Sequence, residues 1–297
     1  MYSPFILWYL FLAGTGGGAY LLAAIFGAVR RFSKSEQIHH YTEIARGGYT
    51  IGPVLVAVSG IFLLFDLETP EKAYLVFLTV NPTILTIGSW LLVLMCVLST
   101  LVFIIHHTSA LKLPRFLVYT LEGLALLSSA GLITYTGVFA SSLPTLPFLY
   151  SPFVVVIFLA SSLSSGVAVL TLYGFFSSRH TSMAKSLRII PAFDLVFILL
   201  EALGIAGLFI TAGLSNNPVA LESLWLFFRG NFALIFWIGV VALGMVLPIC
   251  LSIFGNRTEQ KAFLAIASLL LLLGAACLRY CLLKSGIHID ECYLFIL

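Results

Sequence analysis

The chain has 297 residues, of which 61% are hydrophobic and only 9% are charged, and its mean hydropathy is +1.10. Soluble domains carry roughly 25% charged residues, so this composition excludes a soluble globular protein and predicts one that uses the bilayer as its solvent. The net charge of +3, with no basic stripe, argues against nucleic-acid binding. The five cysteines include no Cys-x-x-Cys pair, and the sequence therefore predicts no metal site.

Eight apolar runs are each long enough to cross about 30 Å of hydrocarbon at 1.5 Å per residue. They predict an all-α integral membrane protein whose residues 1–297 form one polytopic domain, with eight transmembrane helices packed as two four-helix bundles. The predicted helices lie near residues 4–29, 47–65, 83–105, 116–139, 152–176, 191–214, 232–254 and 262–283. The first run lacks a basic n-region and a cleavage site, so we expect a retained helix rather than a signal peptide.

Lysine and arginine in the connecting segments predict the orientation of these helices. The second, fourth and sixth segments hold two of these cations, Lys72 and Arg229. The other segments hold eleven: Arg30, Arg31, Lys34, Arg46, Lys112, Arg115, Arg179, Lys185, Arg188, Arg257 and Lys261. Cytoplasmic segments carry the excess of such cations, so we expect both termini and the even segments to face outside, which in a bacterium is the periplasm.

Ionisable groups within the bilayer are costly and are therefore candidates for function. By the predicted topology, Tyr9, Asp66, Tyr135 and Arg279 share one layer near the outer side. The alternative is that Asp66 only ends a helix, that Arg279 extends its charge to the interface, and that the tyrosines form an interfacial belt.

Three further acids lie deeper and toward the inside. Glu122 precedes Tyr135 by 13 residues, about 20 Å along one helix, while Asp194 and Glu201 are two turns apart on one helix face. This ladder predicts a proton route from the inner surface, or buried charges that are paired for helix packing.

The glycines of the first predicted helix could suggest a dinucleotide site and the histidines could suggest haem, but the topology favours neither cofactor. The run from Gly14 to Ala19 satisfies the dinucleotide-binding pattern, but it lies inside a helix and not between a strand and a helix. Gly14 and Gly18 also form a Gly-x-x-x-Gly pair, which allows either close helix packing or the close approach of a flat ligand. No two histidines face each other within the helices, so no haem is expected; the six are His39, His40, His106, His107, His180 and His288.

Ordered landmarks across nearly the whole chain resemble the NrfD/polysulfide-reductase membrane-subunit family. Those landmarks are the glycine-rich first helix Tyr9–Tyr20, the turn Phe65–Pro70, then Asn81-Pro82 and Ile87–Trp90, Tyr135-Thr136-Gly137, Ser161–Gly166, and Leu278-Arg279-Tyr280. Glu68 stands where the family has glycine, and Ile6 and Tyr9 stand near positions where some members have asparagine and histidine.

The resemblance implies a haem-free quinone-reactive membrane anchor of a respiratory oxidoreductase complex, with no complete activity alone. It implies a menaquinone or ubiquinone cofactor near the outer ends of the first four helices, beside Tyr135. Tyr135 and Asp66 are then the candidate catalytic residues, and Tyr9, Gly14, Gly18 and Arg279 join Tyr135 as candidate quinone-binding residues.

The implied partners are a ferredoxin-like iron–sulfur subunit on the outer face and a catalytic subunit, often a molybdopterin enzyme, in the anaerobic respiration of a bacterial or archaeal cytoplasmic membrane. The expected docking surface comprises Asp66–Pro82, Ala140–Ser151 and Ser215–Gly230. Two alternatives stay open at this point: a structural anchor without quinone chemistry, and a proton or small-solute transporter that uses the three deeper acids. Against a transporter, the sequence has no convincing internal repeat with paired broken helices.

Overall fold

The computed structural model describes residues 3–29, 35–67, 71, 74, 83–107, 114–142, 145–177, 182–215, 217–258 and 261–286. Side-chain surroundings are described for these residues apart from 35–40, 177, 182–192, 255–258 and 261. Several residues of the sequence analysis lie outside the description, in whole or as side chains: Arg30, Arg31, Lys34, His39, His40, Glu68, Pro70, Lys72, Asn81, Pro82, Lys112, Arg179, His180, Lys185, Arg188, Arg257, Lys261 and His288.

Every regular element of the described residues is a helix. In chain order these are α1 (Pro4–Val29), α2 (Ser35–Asp66), α3 (Ile84–His107), α4 (Arg115–Ala140), α5 (Pro152–Ser177), α6 (Ser182–Leu214), α7 (Pro218–Phe228), π1 (Ile235–Val246), α8 (Leu247–Thr258) and α9 (Lys261–Ser285). Within the described residues, 8 spans are long and apolar enough to cross a membrane, and π1 with α8 forms the seventh. The all-α fold and the eight membrane-spanning helices are thus confirmed, and the chain is a multi-pass membrane protein.

Two helices begin earlier than the apolar pattern predicts. The second was expected from residue 47 and begins at Ser35, while the sixth was expected from residue 191 and begins at Ser182. Their apolar parts are Tyr41–Asp66 and Phe193–Leu214. Hydropathy marks where a helix enters hydrocarbon, whereas the backbone hydrogen bonds of a helix continue into polar sequence, so the prediction missed these polar turns.

The short helix α7 lies in a segment that the sequence analysis treated as a loop. The Asn217 side chain accepts a hydrogen bond of 3.0 Å from the Val219 backbone N–H, and Pro218 occupies the first turn. An Asn cap followed by proline is a strong start signal for a helix. With 11 residues, α7 is too short to cross a bilayer.

The seventh span begins as a π-helix. Over π1 the hydrogen bonds join residues five apart, as between the Leu247 N–H and the Ala242 carbonyl. Such helices are rare and frequently lie at functional sites. Gly244 of π1 lies against Gly274 of α9, because a Cβ added at Gly244 would lie 2.8 Å from the Gly274 Cα. The absence of side chains at both positions lets the two backbones touch.

Helix α1 occupies the middle of the molecule. It packs against α2, α4, α5 and α9, while α3 completes a ring of contacts with α2 and α4. Beyond this ring, α5 packs against α6 and α9, and α9 packs against π1 and α8. We call the end where α1 begins the outer end and the opposite end the inner end, after the predicted orientation.

The closest approach is between α1 and α5. A Cβ added at Gly18 would lie 2.8 Å from the Ser162 carbonyl carbon, and one added at Gly166 would lie 2.6 Å from the Ala19 nitrogen. Backbone atoms of α5 therefore fill the space where a side chain of α1 would stand. Close packing, rather than contact with a flat ligand, describes this face of α1.

We expect Gly18→Ala to lower the free energy of unfolding by about 1–3 kcal/mol, the usual cost of overpacking, because neither backbone can yield without separating two helices. Gly123→Ala is the matched control, since a Cβ at Gly123 meets nothing within 4 Å. Thermal unfolding of the purified variants in detergent measures both. Equal stability of the two variants would contradict the close approach.

Candidate functional site

Two buried tyrosines meet in the outer half of the ring formed by the first four helices. Tyr9 of α1 is 1% exposed and Tyr135 of α4 is 5% exposed, and the two side chains interact electrostatically. Gly88 of α3 lies directly against the Tyr135 ring, which leaves no space for a Cβ there. This contact gives the glycine of the Ile87–Trp90 landmark a physical role, which is to make room for the ring.

The Tyr9 hydroxyl is a buried polar atom that has no hydrogen-bond partner among the described residues. Burying a hydroxyl without a partner costs free energy, and a phenylalanine would pack equally well without that cost. An oxygen or nitrogen of a bound ligand is the kind of partner that this position lacks.

An apolar groove lies between α2 and α3. Its volume is about 340 Å³, and its lining residues Leu63 and Leu92 belong to the same buried core as Tyr9 and Tyr135. The lining residues are Ala57, Gly60, Ile61, Leu63, Leu64, Leu67, Leu85, Ser89, Leu92, Val93 and Cys96. An apolar groove next to a few polar groups has the character of a site for a largely apolar ligand with a polar head, so these residues fit a quinone.

Asp66 is held at the outer end, beside the start of α1. The Ser3 hydroxyl donates a hydrogen bond to Asp66 Oδ1, and the same Ser3 oxygen accepts a hydrogen bond of 3.3 Å from the Ile6 N–H. Ser3 thus caps α1, and the negative Asp66 lies near the positive end of that helix. Tyr9 lies six residues further along, about 9 Å deeper at 1.5 Å per residue.

Arg279 is completely buried, at 0% exposure. Its Nη1 donates to the Ser161 Oγ at 3.1 Å and its Nη2 donates to the Ser162 Oγ at 3.0 Å. The guanidinium carbon also lies 5.5 Å from the ring centroids of Phe11 and Phe158. Two hydroxyls and two aromatic faces therefore replace the water that this charge loses.

Two buried acids complete a polar network around Arg279, here called the arginine network. Glu201 of α6 interacts electrostatically with Arg279 and is hydrogen-bonded to the Ser161 hydroxyl, which links the two charged groups. One turn along α5, the Ser164 hydroxyl donates a hydrogen bond of 2.6 Å to Asp194 Oδ1. A small cavity of about 10 Å³ lies beside Ser164 and Glu201 and is bordered by Gly244 of π1.

The four residues expected to form one outer layer are thus divided into three groups. Tyr9 and Tyr135 lie together, Asp66 is bound by Ser3, and Arg279 lies against Gly14, about 2.8 Å from the position of a Cβ there. The layer prediction treated the depth of a side chain as that of its Cα. Because helical side chains point toward the start of their own helix, Arg279 extends away from the outer end of α9 and into the arginine network.

The ladder of three acids is also divided. Asp194 and Glu201 belong to the arginine network, whereas Glu122 lies among the first four helices, with Oε1 at 2.8 Å from the His106 Nε2. From the sequence alone, His106 was considered only as a haem ligand, which the topology did not favour. A short connection between two antiparallel helices brings the end of one beside the start of the next, and this rule would have found the pair.

Comparison with known proteins gives a match over residues 1–289 to the family described as polysulphide reductase, NrfD. The protein is 24% identical over 296 residues to a polysulfide reductase chain of Wolinella succinogenes, and the match spans 94% of this protein and 92% of that one. It is 27% identical over 316 residues to the NrfD homolog of Haemophilus influenzae, with 96% of both proteins matched. It is 26% identical over 297 residues to NrfD of Escherichia coli, with 94% of this protein and 92% of that one matched.

A double-mutant cycle tests the arginine network. Arg279→Gln alone should lower the free energy of unfolding by about 3–5 kcal/mol, because it leaves the buried Glu201 carboxyl without its cation. Arg279→Gln combined with Glu201→Gln should lower it by less than the sum of the two single changes. Thermal unfolding in detergent measures the cycle, and additivity within about 0.5 kcal/mol would show that the two groups are not coupled.

Proposed function

We propose a function from the premise that this chain belongs to the polysulphide reductase, NrfD family: it is a membrane subunit of a respiratory oxidoreductase, and it reacts with a quinone. The single observation that carries the quinone part is the buried Tyr9 hydroxyl, which has no hydrogen-bond partner among the described residues. Tyr9 shares one buried core with Tyr135 and with Leu63 and Leu92 of the apolar groove. One relative is named as a chain of polysulfide reductase, which supports assigning this protein to a multisubunit oxidoreductase.

The protein's own residues would bind and orient the ligand. A bound menaquinone or ubiquinone would supply two-electron, two-proton redox chemistry. The hydroxyls of Tyr9 and Tyr135 would donate hydrogen bonds to a carbonyl oxygen of the ring. The groove between α2 and α3 would hold the isoprenoid tail, while Asp66, about 9 Å nearer the outer end by helix rise, would exchange protons there.

The electrons would pass between the quinone and a ferredoxin-like iron–sulfur subunit docked on the outer face, which in turn would serve a catalytic subunit, for example a molybdopterin enzyme. Helix α7 supports this surface as a docking site, because it adds a short helix at the outer end with Trp225 and Phe228 exposed. Electron transfer requires a short distance, and the tyrosine pair lies in the outer half of the first four helices.

Tyr135→Phe tests the quinone site. The change keeps the ring and its packing against Gly88 but removes the hydroxyl. One hydrogen bond contributes about 0.5–1.5 kcal/mol net, and more where charge develops on its partner, so quinone-linked activity of the complex should fall roughly tenfold or more. Reduction or oxidation of an artificial dye by the soluble subunits should stay at the wild-type rate.

Tyr119→Phe is the matched control for this variant. Tyr119 is on the same helix but is 49% exposed, so losing its hydroxyl should leave both activities unchanged. If Tyr135→Phe also keeps wild-type quinone-linked activity, the protein is better described as a structural anchor, and Tyr135 as a tyrosine of the membrane interface.

The proposed orientation places the outer end in the periplasm of a bacterial or archaeal cytoplasmic membrane. In a variant without native cysteines, a cysteine at Glu222 on α7 should react with an impermeant thiol reagent from outside. A cysteine at Arg115, at the start of α4, should react only after the membrane is opened. The reverse pattern would invert the molecule and move the docking surface to the other side.

A further inference from the structure

A second polar group lies toward the inner end of the first four helices, with one side chain from each helix. This inner cluster consists of Tyr20, Tyr49, His106 and Glu122. The His106 Nε2 and the Glu122 Oε1 are 2.8 Å apart, and the Tyr49 ring stacks on the His106 ring with centroids 5.0 Å apart. The Tyr20 and Tyr49 ring centroids are 5.3 Å apart. Four residues distant in sequence thus meet at one level.

Exposure falls in order through the inner cluster. The His106 side chain is 26% exposed and the Glu122 side chain is 11% exposed. Tyr20 is completely buried, interacts electrostatically with Glu122, and has a hydroxyl with no hydrogen-bond partner among the described residues. A cluster that served packing alone would be more stable with phenylalanine at position 20. The order is instead that of a proton path, from a group at the surface to a hydroxyl in the core.

Buried hydroxyls continue from this cluster toward the tyrosine pair. Ser59 of α2, Ser99 of α3 and Ser129 of α4 are each 0% exposed. Ser129 is seven residues from Glu122 and six from Tyr135, about 10 Å and 9 Å at the rise of an α-helix. Each serine donates to a carbonyl of its own helix, which leaves its oxygen free to accept. One ordered water bridges polar atoms roughly 5–6 Å apart, so a chain of about two waters would complete each of these steps.

We propose that the inner cluster transfers protons between the inner side of the membrane and the quinone site, an inference that rests on the function proposed above. Reduction of a quinone takes two electrons from the iron–sulfur partner and two protons, and it forms the two O–H bonds of the quinol; oxidation reverses each transfer. Glu122 and His106 exchange protons with the inner side, and the Tyr20 hydroxyl exchanges them with Glu122. Among the described residues, the titratable groups beside this pair are Tyr20 of α1, which interacts with Glu122, and Tyr49 of α2, which stacks on His106. His107 follows His106 on α3, and its Nε2 lies 3.0 Å from the Thr50 hydroxyl.

Glu122→Gln in the complete complex, reconstituted in sealed liposomes, tests this route. Glutamine keeps the volume and a hydrogen bond to His106 but cannot release a proton. Quinone-linked turnover should fall at least roughly tenfold, the lower part of the range for a lost proton-transfer group. It should also lose its dependence on the pH of the inner side, while the KM for quinone and the dye-linked activity stay at wild-type values. A residue that served packing alone would not change how turnover depends on the pH of the inner side.

Three further variants make the outcome decisive. Glu43→Gln removes a carboxyl near the inner end of α2, outside the inner cluster, and should behave as wild type. Tyr20→Phe leaves the pair of His106 and Glu122 intact, and it should slow turnover with the same loss of dependence on the pH of the inner side. This variant still tests the proposal if Glu122→Gln does not assemble. Glu201→Gln tests the competing route through the arginine network.

Wild-type turnover and wild-type response to inner-side pH in both Glu122→Gln and Tyr20→Phe would overturn the proposal, as would a sided loss confined to Glu201→Gln. A wild-type complex that has no bound quinone and no quinone-linked turnover would contradict the proposed function itself. That failure is visible before any variant is compared, so the two are distinguishable.

Discussion

The close approach of α1 to its neighbours is the constraint on which the rest of the structure depends. Without side chains at Gly14 and Gly18, the backbone of α5 and the Arg279 guanidinium reach α1 directly. Lipid tails are as apolar as leucine, so helices gain little from simple apolar contact in a membrane and associate through close packing and hydrogen bonds. A central α1 then brings Tyr9 to Tyr135 on one side and Arg279 to Ser162 on the other.

The same solvent explains why the polar groups occur as separate clusters. A bilayer offers no water to an isolated charge, so each buried ionisable group must find its partners among neighbouring helices. Arg279 finds Ser161, Ser162 and Glu201, and Glu122 finds His106. The buried hydroxyls of Tyr9 and Tyr20 depart from this rule among the described residues, and a partner that is not part of the protein, such as a water molecule or a ligand, is one explanation for such a departure.

The sequence predicted the membrane class and the eight spans because hydropathy reports directly on burial in lipid. It also brought out Tyr9, Tyr135, Arg279 and Glu201, because a polar residue within an apolar run is visible in one dimension. The partners of these residues could not be predicted from the sequence, because they lie far away along the chain. Glu201, for example, is more than 70 residues from Arg279. Helix α7 was missed although its Asn-Pro start is a recognisable signal, because hydropathy detects segments long enough to span the bilayer and not short helices between them.

The arginine network is separate from the tyrosine pair, so the charge of Arg279 would act on a ligand beside Tyr9 through its electric field and not by contact. Arg279 is completely buried, and the part of its charge that Glu201 does not offset raises the local potential around α1, which favours negative charge nearby. A quinone that gains electrons beside Tyr9 would develop such a charge, so the buried cation would assist reduction without touching the ligand. The tyrosines would then need only to orient the ring and share its protons, which phenols do well. In the proposed function the work would thus be divided: a buried cation would stabilise the added electrons from within the protein, while neutral hydroxyls would form the surface that the ligand contacts.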